Sequence, residues 1–445
     1  MTRVAIIGGG IAGLSAAHYL TQAGADFLLF EAGPRLGGVI QTERTPEGFI
    51  VEAGPDSFLS AKPWAAELAR EVGLGEDLIP SNDHERKTYI LHSGKLVAIP
   101  DGMQMMVPTR SWPVLTSPLF SFATKLRMAR EFLAPPAALA ENADESVASF
   151  VSRHFGQEVV ERLADPLLAG VYGGDSGRLS ARAVLPQMVA SEAAHRSLVR
   201  GALHARASGN SPQSIFTSLS NGMGQLIDAL AARIPAENLR LKTPVNSLIR
   251  TDTGWEVGTE SFSEVILAVP APAAATLLWP LDPALSALLG KVSYTSSITV
   301  ALGYEELSLP PGFGLLVPRA EGKRMIACTF VHRKFKHRSP PGRALLRVFL
   351  TSGLEENDAA LSQIVRVELR SILNITAPPI MTRICRWPSA MPQYGVGHLD
   401  RVAQMEARAA GLPGLYLIGN AYRGVGIPDC VRSGKLAAEK ISATR

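Results

Sequence analysis

The sequence predicts an α/β protein: a doubly wound parallel sheet built from discontinuous segments, with an inserted mixed α+β domain and a helical subdomain. Three observations lead there. A β-branched run at residues 4–7 is followed by glycines, by helical spacing through Leu14, Ala17 and Leu20, and by a second apolar run at 27–30 that ends at Glu31. An apolar strand, a Gly-rich turn and a helix return at the end of the chain, at 415–418, 419–426 and from about Val431. Material of a different character lies between, helix-like over most of 120–205 and strand-like at 297–303, 314–317, 325–330 and 345–351.

Taken in order, the remaining elements fit this frame. Residues 63–72 have helical spacing, 89–91 and 95–99 read as a strand pair, and strand signals recur at 237–249, 254–257 and 265–269. The stretch 207–212, Ala-Ser-Gly-Asn-Ser-Pro, reads as a flexible connection. Cofactor-type signals at both ends and near 239–270 imply one domain made of three pieces, 1–84, 213–272 and 383–445. A substrate domain is expected from 85–107 and 273–382, and a helical subdomain from 108–206.

Composition bounds the function. A chain of 445 residues is long enough for two or three domains. With 46% hydrophobic and 19% charged residues it can bury a sizeable core, and it is neither a disordered chain nor a nucleic-acid coat. A net charge of +4 permits anionic ligands or an acidic membrane surface without demanding either. Cys328, Cys385 and Cys430 are few, odd in number and far apart, which excludes a disulfide framework and a structural zinc site and favours a reducing cytoplasm. Residues 4–25 lack Asp, Glu, Lys and Arg, yet Gly8, Gly9, Gly10 and Gly13 interrupt them, against an export signal or a span. Residues 265–281 hold Pro270, Pro272 and Pro280, which break a lipid-exposed helix. In 112–138, Leu115, Leu119, Phe120, Phe122, Leu126 and Phe132 mix with Lys125, Arg127 and Arg130. A helix packed on its own domain and a helix docked on the cytoplasmic membrane face both stay open there.

Gly8, Gly9, Gly10, Ile11, Ala12 and Gly13 fit G-x-G-x-x-G between a strand and a helix. Gly8 permits the tight turn, Gly10 lets a pyrophosphate approach the backbone, and Gly13 lets helix and strand pack closely. The helix N-terminus then aims its amides at phosphate. Glu31, at the end of the second strand, is placed for a ribose 2′-OH, and its charge disfavours a 2′-phosphate. After Glu31 and Ala32, the cation Arg35 and the pair Gly37–Gly38, followed by Val39, supply a second phosphate-facing turn. That extension resembles the R-x-G-G segment of the large flavoprotein oxidase superfamily, which implies FAD rather than NAD.

Further stretches resemble the protoporphyrinogen/coproporphyrinogen oxidase family from end to end. They include Glu52-Ala-Gly54-Pro55-Asp56-Ser57-Phe58, Asp165-Pro-Leu-Leu-Ala-Gly170-Val-Tyr-Gly-Gly174-Asp175 and Asn221-Gly-Met-Gly. Later come Thr243-Pro244-Val245, Arg386-Trp387-Pro-Ser-Ala-Met-Pro392-Gln-Tyr394, and Leu417-Ile-Gly419-Asn420-Ala-Tyr-Arg-Gly-Val-Gly426-Ile427-Pro428-Asp429-Cys430. The resemblance implies non-covalent FAD, contacted in the 54–57 and 419–430 segments, at Val245 and at Trp387. Amides from Ile427 to Cys430 at a helix N-terminus suit the electron-rich side of the flavin ring. Asp429 reads equally as a helix cap or a ligand.

The resemblance further implies six-electron oxidation of protoporphyrinogen IX or coproporphyrinogen III in haem biosynthesis. Hydride passes from a bridge carbon to flavin N5, O2 is the acceptor, H2O2 forms, and no protein nucleophile or metal is required. It places Phe330 at a stacking position with Leu316 facing it, and lets Gly170 offer a carbonyl to pyrrole N–H groups. Arg86 and Lys87 are candidate propionate anchors. The basic run from His332 to Arg338 is a further candidate anchor, though it reads first as a solvated face. Expected partners are the tetrapyrrole and, beyond it, a ferrochelatase-type enzyme or a membrane face; monomer and homodimer both stay open. An amine oxidase or a carotenoid desaturase on the same cofactor domain is the competing enzyme reading.

Overall fold

The computed structural model describes residues 3–136, 143–207 and 214–443. The connection expected at 207–212 lies, from 208 onward, outside them.

A five-stranded parallel sheet forms the first layer, in the order Leu239–Arg240, Asp26–Phe30, Arg3–Ile7, Glu264–Leu267, Leu415–Leu417. Its strands come from the start, middle and end of the chain, which is the interleaving the sequence implies. Such strands are buried on both faces and read as continuous apolar runs. Ile6, Leu29 and Ile266 point into a core with the helices Ile11–Gln22 and Ile427–Ala443, while Ala5, Leu28 and Leu267 point into a second core with Ala271–Leu278 and His398–Ala410.

A seven-stranded sheet forms the second layer, in the order Met381–Pro392, Tyr294–Tyr304, Ala344–Leu350, Met325–Phe330, Gly314–Leu316, Thr88–His92, Lys95–Ala98. One face packs on the helix Asp358–Leu373. Part of the other packs on the helical segment, through Ile90, Leu316 and Ala327 against Leu163, Ala164 and Leu168.

Three expectations need correction. The boundary at 383 cuts through one strand, Met381–Pro392, which pairs along Tyr294–Tyr304 and so belongs to the second sheet. The strand expected over 237–249 shrinks to Leu239–Arg240 and Ile249–Thr251, because the amides of Lys242 and Thr243 bond back to Gly33 O (3.0 Å) and Glu31 O (2.9 Å). The last helix starts at Ile427, four residues before Val431, since Pro428 falls in the first turn, where its missing N–H costs nothing.

In the helical segment, Phe122–Leu133 packs inward through Thr124, Met128 and Glu131. It turns Phe122 (80% exposed), Leu126 (62%) and Leu133 (74%) to solvent, beside Trp112 (73%). Among the described residues, no helix is long and apolar enough to cross a membrane.

Candidate active site

The glycine turn stands where the fingerprint puts it. A methyl group on Gly13 would lie 2.0 Å from Gly8 O, and one on Gly10 would meet nothing within 4 Å. The first glycine closes the turn on the helix; the second leaves an open cradle. Gly10 gives the Ile11–Gln22 helix no side-chain cap, so its first amides are left to face a ligand. Glu31 braces the cradle: Oε2 accepts from Gly9 N and Oε1 from Gly33 N, each at 2.7 Å. Each oxygen keeps a further acceptor site for a ribose hydroxyl. Beside it, Gly37 N donates to Gly9 O at 2.8 Å, which locks the second glycine turn to the first. Arg35 spends its guanidinium on carbonyls of its own loop, Leu36, Ile40 and Gly38, and shapes the segment that ends at Gly38 and Val39. Ala32 and Val245 flank the same end, where Lys242 and Thr243 clip the 31–33 turn. This arrangement fits the adenosine and pyrophosphate half of FAD.

Residues 53–57 border the groove between the two sheets. Gly54 is obligatory, because a Cβ there would sit 1.8 Å from Val39 O. Ala53 O accepts from Trp387 Nε1 (2.7 Å), Thr299 Oγ1 (3.2 Å) and Arg347 Nη2 (3.4 Å). Arg347 Nη2 also donates to Gly54 O. Trp387 therefore positions the loop. Asp56, next to Pro55, accepts from Lys334 Nζ at 3.1 and 3.2 Å and from Ser57 Oγ at 2.6 Å. Burial would raise this carboxyl, but the Lys334 ammonium and the Arg347 guanidinium override it and hold the group well below the usual carboxylate range.

The run from His332 to Arg338 is thus only partly a solvated face: Lys336 and His337 are exposed, while Lys334 and Arg338 turn inward. Lys334 is buried over the rings of Phe216 and Phe335, and Arg338 is fully buried, bonding Ser218 Oγ at 2.6 Å and pairing with Glu52 at 3.3 Å. Burial lifts the Glu52 carboxyl above its ordinary value despite the Arg338 charge and hydrogen bonds from Thr42 and the Met223 amide. The two cations turn inward from successive short turns, Lys334 from Val331–Lys334 and Arg338 from Lys336–Arg338, to meet carboxylates some 280 residues earlier in the chain.

The C-terminal end is built from Gly419, Asn420 and the 426–430 turn. Asp429 pairs with Lys62 (2.7 Å to each oxygen) and packs over Gly424, so the ion pair joins the 59–63 turn to the helix N-terminus. Cys430 is buried, and burial, then the Asp429 charge, pushes its thiol up to about 12. A thiol so disinclined to ionise is a poor covalent tether, which agrees with non-covalent FAD.

Of the expected substrate residues, Leu316 and Gly170 meet: a Cβ on Gly170 would contact Leu316 Cδ2 at 3.7 Å. Phe330 does not join them. It is fully buried among Val348, Leu361 and Val365 on the far face of the second sheet. Residues directly opposite in a sheet share a face. The row Leu316, Ala327, Phe349, Thr299 therefore looks toward the helical segment, and Phe349, half-buried, is its aromatic residue. Tyr172, at the end of the helix Asp165–Tyr172, closes this corner; burial and then the Asp429 charge raise its phenol to about 12. Arg86 and Lys87 are exposed at the outer edge, before the strand that pairs with Gly314–Leu316.

The sequence reading missed Lys62, Arg347 and Phe349, and it gave no role to Lys334 or Tyr394 individually although both lie in stretches it singled out. Arg347 had a signal: a lone charge inside Ala344-Leu-Leu-Arg-Val-Phe-Leu marks one strand face, and Phe349, two residues on, shares it.

Comparison with known proteins agrees with this geometry. A family model described as flavin containing amine oxidoreductase matches residues 11–442. The coproporphyrinogen III oxidase of Bacillus subtilis (strain 168) is 36% identical, over 98% of this chain and 96% of its own length. That of Staphylococcus aureus (strain NCTC 8325 / PS 47) is 32% identical over 99% of each. A crystal structure from Exiguobacterium sp. 255-15 superposes with a TM-score of 0.89 at 34% identity, covering 100% of this chain and 99% of the other.

Proposed function

The chain belongs to the family of flavin-containing amine oxidoreductases, and from that premise we propose that it oxidises coproporphyrinogen III to coproporphyrin III in haem biosynthesis, with FAD as cofactor and O2 as acceptor. The supporting observation is the half-buried Phe349 beside loop 53–57, on a sheet face whose neighbouring Leu316 and Ala327 meet the helical segment that carries Gly170 and Tyr172. A flat macrocycle lying on that face brings one methylene bridge to the groove.

Bound FAD supplies a two-electron acceptor. The chain's own work is positional. Gly8–Gly13 and Glu31 hold the nucleotide half, and Phe349 and Leu316 seat the macrocycle. A bridge C–H bond breaks with its electron pair as a pyrrole N–H releases a proton, and the ring nitrogens stabilise the developing cation. No side chain has to act as a strong base. Three rounds remove six electrons and six protons, and three O2 become three H2O2. Coproporphyrinogen III rather than protoporphyrinogen IX is favoured by the names of the relatives at 36% and 32% identity.

The test is kcat/KM for both porphyrinogens on the purified flavoprotein, read from the Soret band. Coproporphyrinogen III should be preferred, and Phe349→Ala should lower its kcat/KM about tenfold. Phe330→Leu should change stability alone. Preference for protoporphyrinogen IX, or turnover confined to an amine or a polyene, would overturn the assignment.

The surface of Trp112, Phe122, Leu126 and Leu133, edged by Arg127 and Arg130, fits the interface of an anionic lipid bilayer. Sedimentation with phosphatidylglycerol vesicles should exceed that with phosphatidylcholine and be lost in Phe122→Asp/Leu126→Asp. Equal sedimentation of parent and variant would remove the lipid reading.

A further inference from the structure

Residues 419–426 leave the C-terminal end of the Leu415–Leu417 strand and enter the helix Ile427–Ala443. Ligands of open parallel sheets bind at that edge. A methyl group on Gly419 would touch Ala12 Cβ at 4.0 Å, at the head of the first helix. The loop is therefore part of the cofactor groove, and two side chains of one short segment hold its backbone.

Tyr394 Oη donates to Asn420 O at 2.7 Å and accepts from Gly424 N at 2.9 Å. His398 Nε2 bonds Tyr422 O at 2.7 Å. A carbonyl only accepts, so His398 carries its proton on Nε2. Among the described residues its Nδ1 has no hydrogen-bond partner, and burial lowers the imidazole to about 4, which keeps this tautomer neutral. Burial also raises the Tyr394 phenol, so it keeps its proton. The two rings stack at 3.9 Å and 14°. Alternate backbone positions 420, 422 and 424 are thus fixed by a pair of uncharged side chains.

The segment that carries them is itself anchored. Ser180 N donates to Tyr394 O (2.7 Å), Val396 N to Arg178 O (3.1 Å) and Gly397 N to Asp144 Oδ2 (2.7 Å). These bonds tie it to the helical segment, so the loop is held from a fixed support.

We propose that Tyr394 and His398 are positioning residues for the flavin. They keep the 419–426 loop and the helix N-terminus behind it in the one arrangement that aims backbone amides at the ring, an arrangement that favours the more negative reduced form. The inference rests on FAD as cofactor and is independent of which porphyrinogen is oxidised.

The experiment is Tyr394→Phe, which keeps the stacked ring and removes only the hydroxyl. The purified variant should still bind FAD. Equilibrated with a reference dye, its ratio of reduced to oxidised flavin should fall about tenfold, as expected for two lost hydrogen bonds. In turnover, kcat should fall while KM stays within about twofold. A ratio equal to that of the parent, even with a lower Tm, would make Tyr394 a structural residue only and overturn the proposal. Should Tyr394→Phe not fold, His398 decides. The amide of His398→Gln can still donate to Tyr422 O and should keep the parental ratio, whereas His398→Leu should lower it; a parental ratio in His398→Leu overturns the proposal. The dye measurement uses no substrate, so a wrong substrate assignment would show separately, in turnover.

Discussion

Two loops border the cofactor groove, and opposite chemistries hold them. Residues 53–57 hang on charge: Lys334 on Asp56, Arg347 on the carbonyls of Ala53 and Gly54, and Arg338 on Glu52 underneath. Residues 419–426 hang chiefly on neutral hydrogen bonds from Tyr394 and His398, with one exposed ion pair, Arg423 to Glu406, on the outer side. The first loop lies against the second sheet, where the adjacent carbonyls of Ala53 and Gly54 converge and the buried guanidinium of Arg347 can serve both. Charge there is costly to bury and holds only while paired. The second loop starts at a strand end and finishes at a helix N-terminus, so a few neutral bonds complete it. The first should therefore fail abruptly when a partner is lost, and the second should yield by degrees.

The largest expected effect is steric. Gly54→Ala forces a Cβ to within 1.8 Å of Val39 O, and should cost more than about 4 kcal/mol and abolish bound flavin. The matching change Gly419→Ala meets only Ala12 Cβ at 4.0 Å and a φ of +113°, and should cost about 1–3 kcal/mol. Denaturant midpoints and flavin absorbance per chain report both; equal losses would erase the contrast.

Next is Arg338→Met, which strands Glu52 beneath the first loop. About 3–5 kcal/mol should be lost, and most of it should return in Arg338→Met/Glu52→Gln, where neither charge remains. A double variant no more stable than the single one would mean that Arg338 acts through packing.

The smallest effect separates the loops by pH. The Asp56 carboxyl is depressed, so its stabilisation is complete above the ordinary Asp value of about 3.9 and is lost as pH falls toward its lower folded value. Lys334→Met lifts that folded value and should move the acid limb of Tm upward. His398 is lowered to about 4. From its ordinary value near 6.5 down to about 4, the unfolded chain takes a proton that the native protein refuses, and stability drops as pH falls through that window. His398→Gln should reduce the slope of Tm there, the rest staying with His18 and His332, which burial also lowers, and should leave the limb below pH 4 in place. The reverse assignment of limbs would contradict the charged and neutral division.

The sequence was readable where a local rule sufficed. Gly8, Gly10 and Gly13 announce a turn that other residues cannot make, Glu31 closes the second strand, and apolar runs of strand length name all three pieces of the parallel sheet. It failed where strand parity decides. Phe330 and Phe349 are both aromatic residues in apolar strands, and only the pairing of Ala327 with Leu316 and Phe349 shows which one faces the groove. It failed again at Lys334 and Arg338, because cations in a basic run look solvated until carboxylates from a distant segment come to meet them.

By itself, then, the chain determined its cofactor domain, through backbone constraints and periodicities that act over a few residues. The tertiary structure alone decided which cations are buried, which aromatic residue faces the cleft and what steadies each loop. Those choices join Lys334 to Asp56, Arg338 to Glu52 and Tyr394 to Gly424. Such contacts gain their strength only once folding has excluded water from both partners.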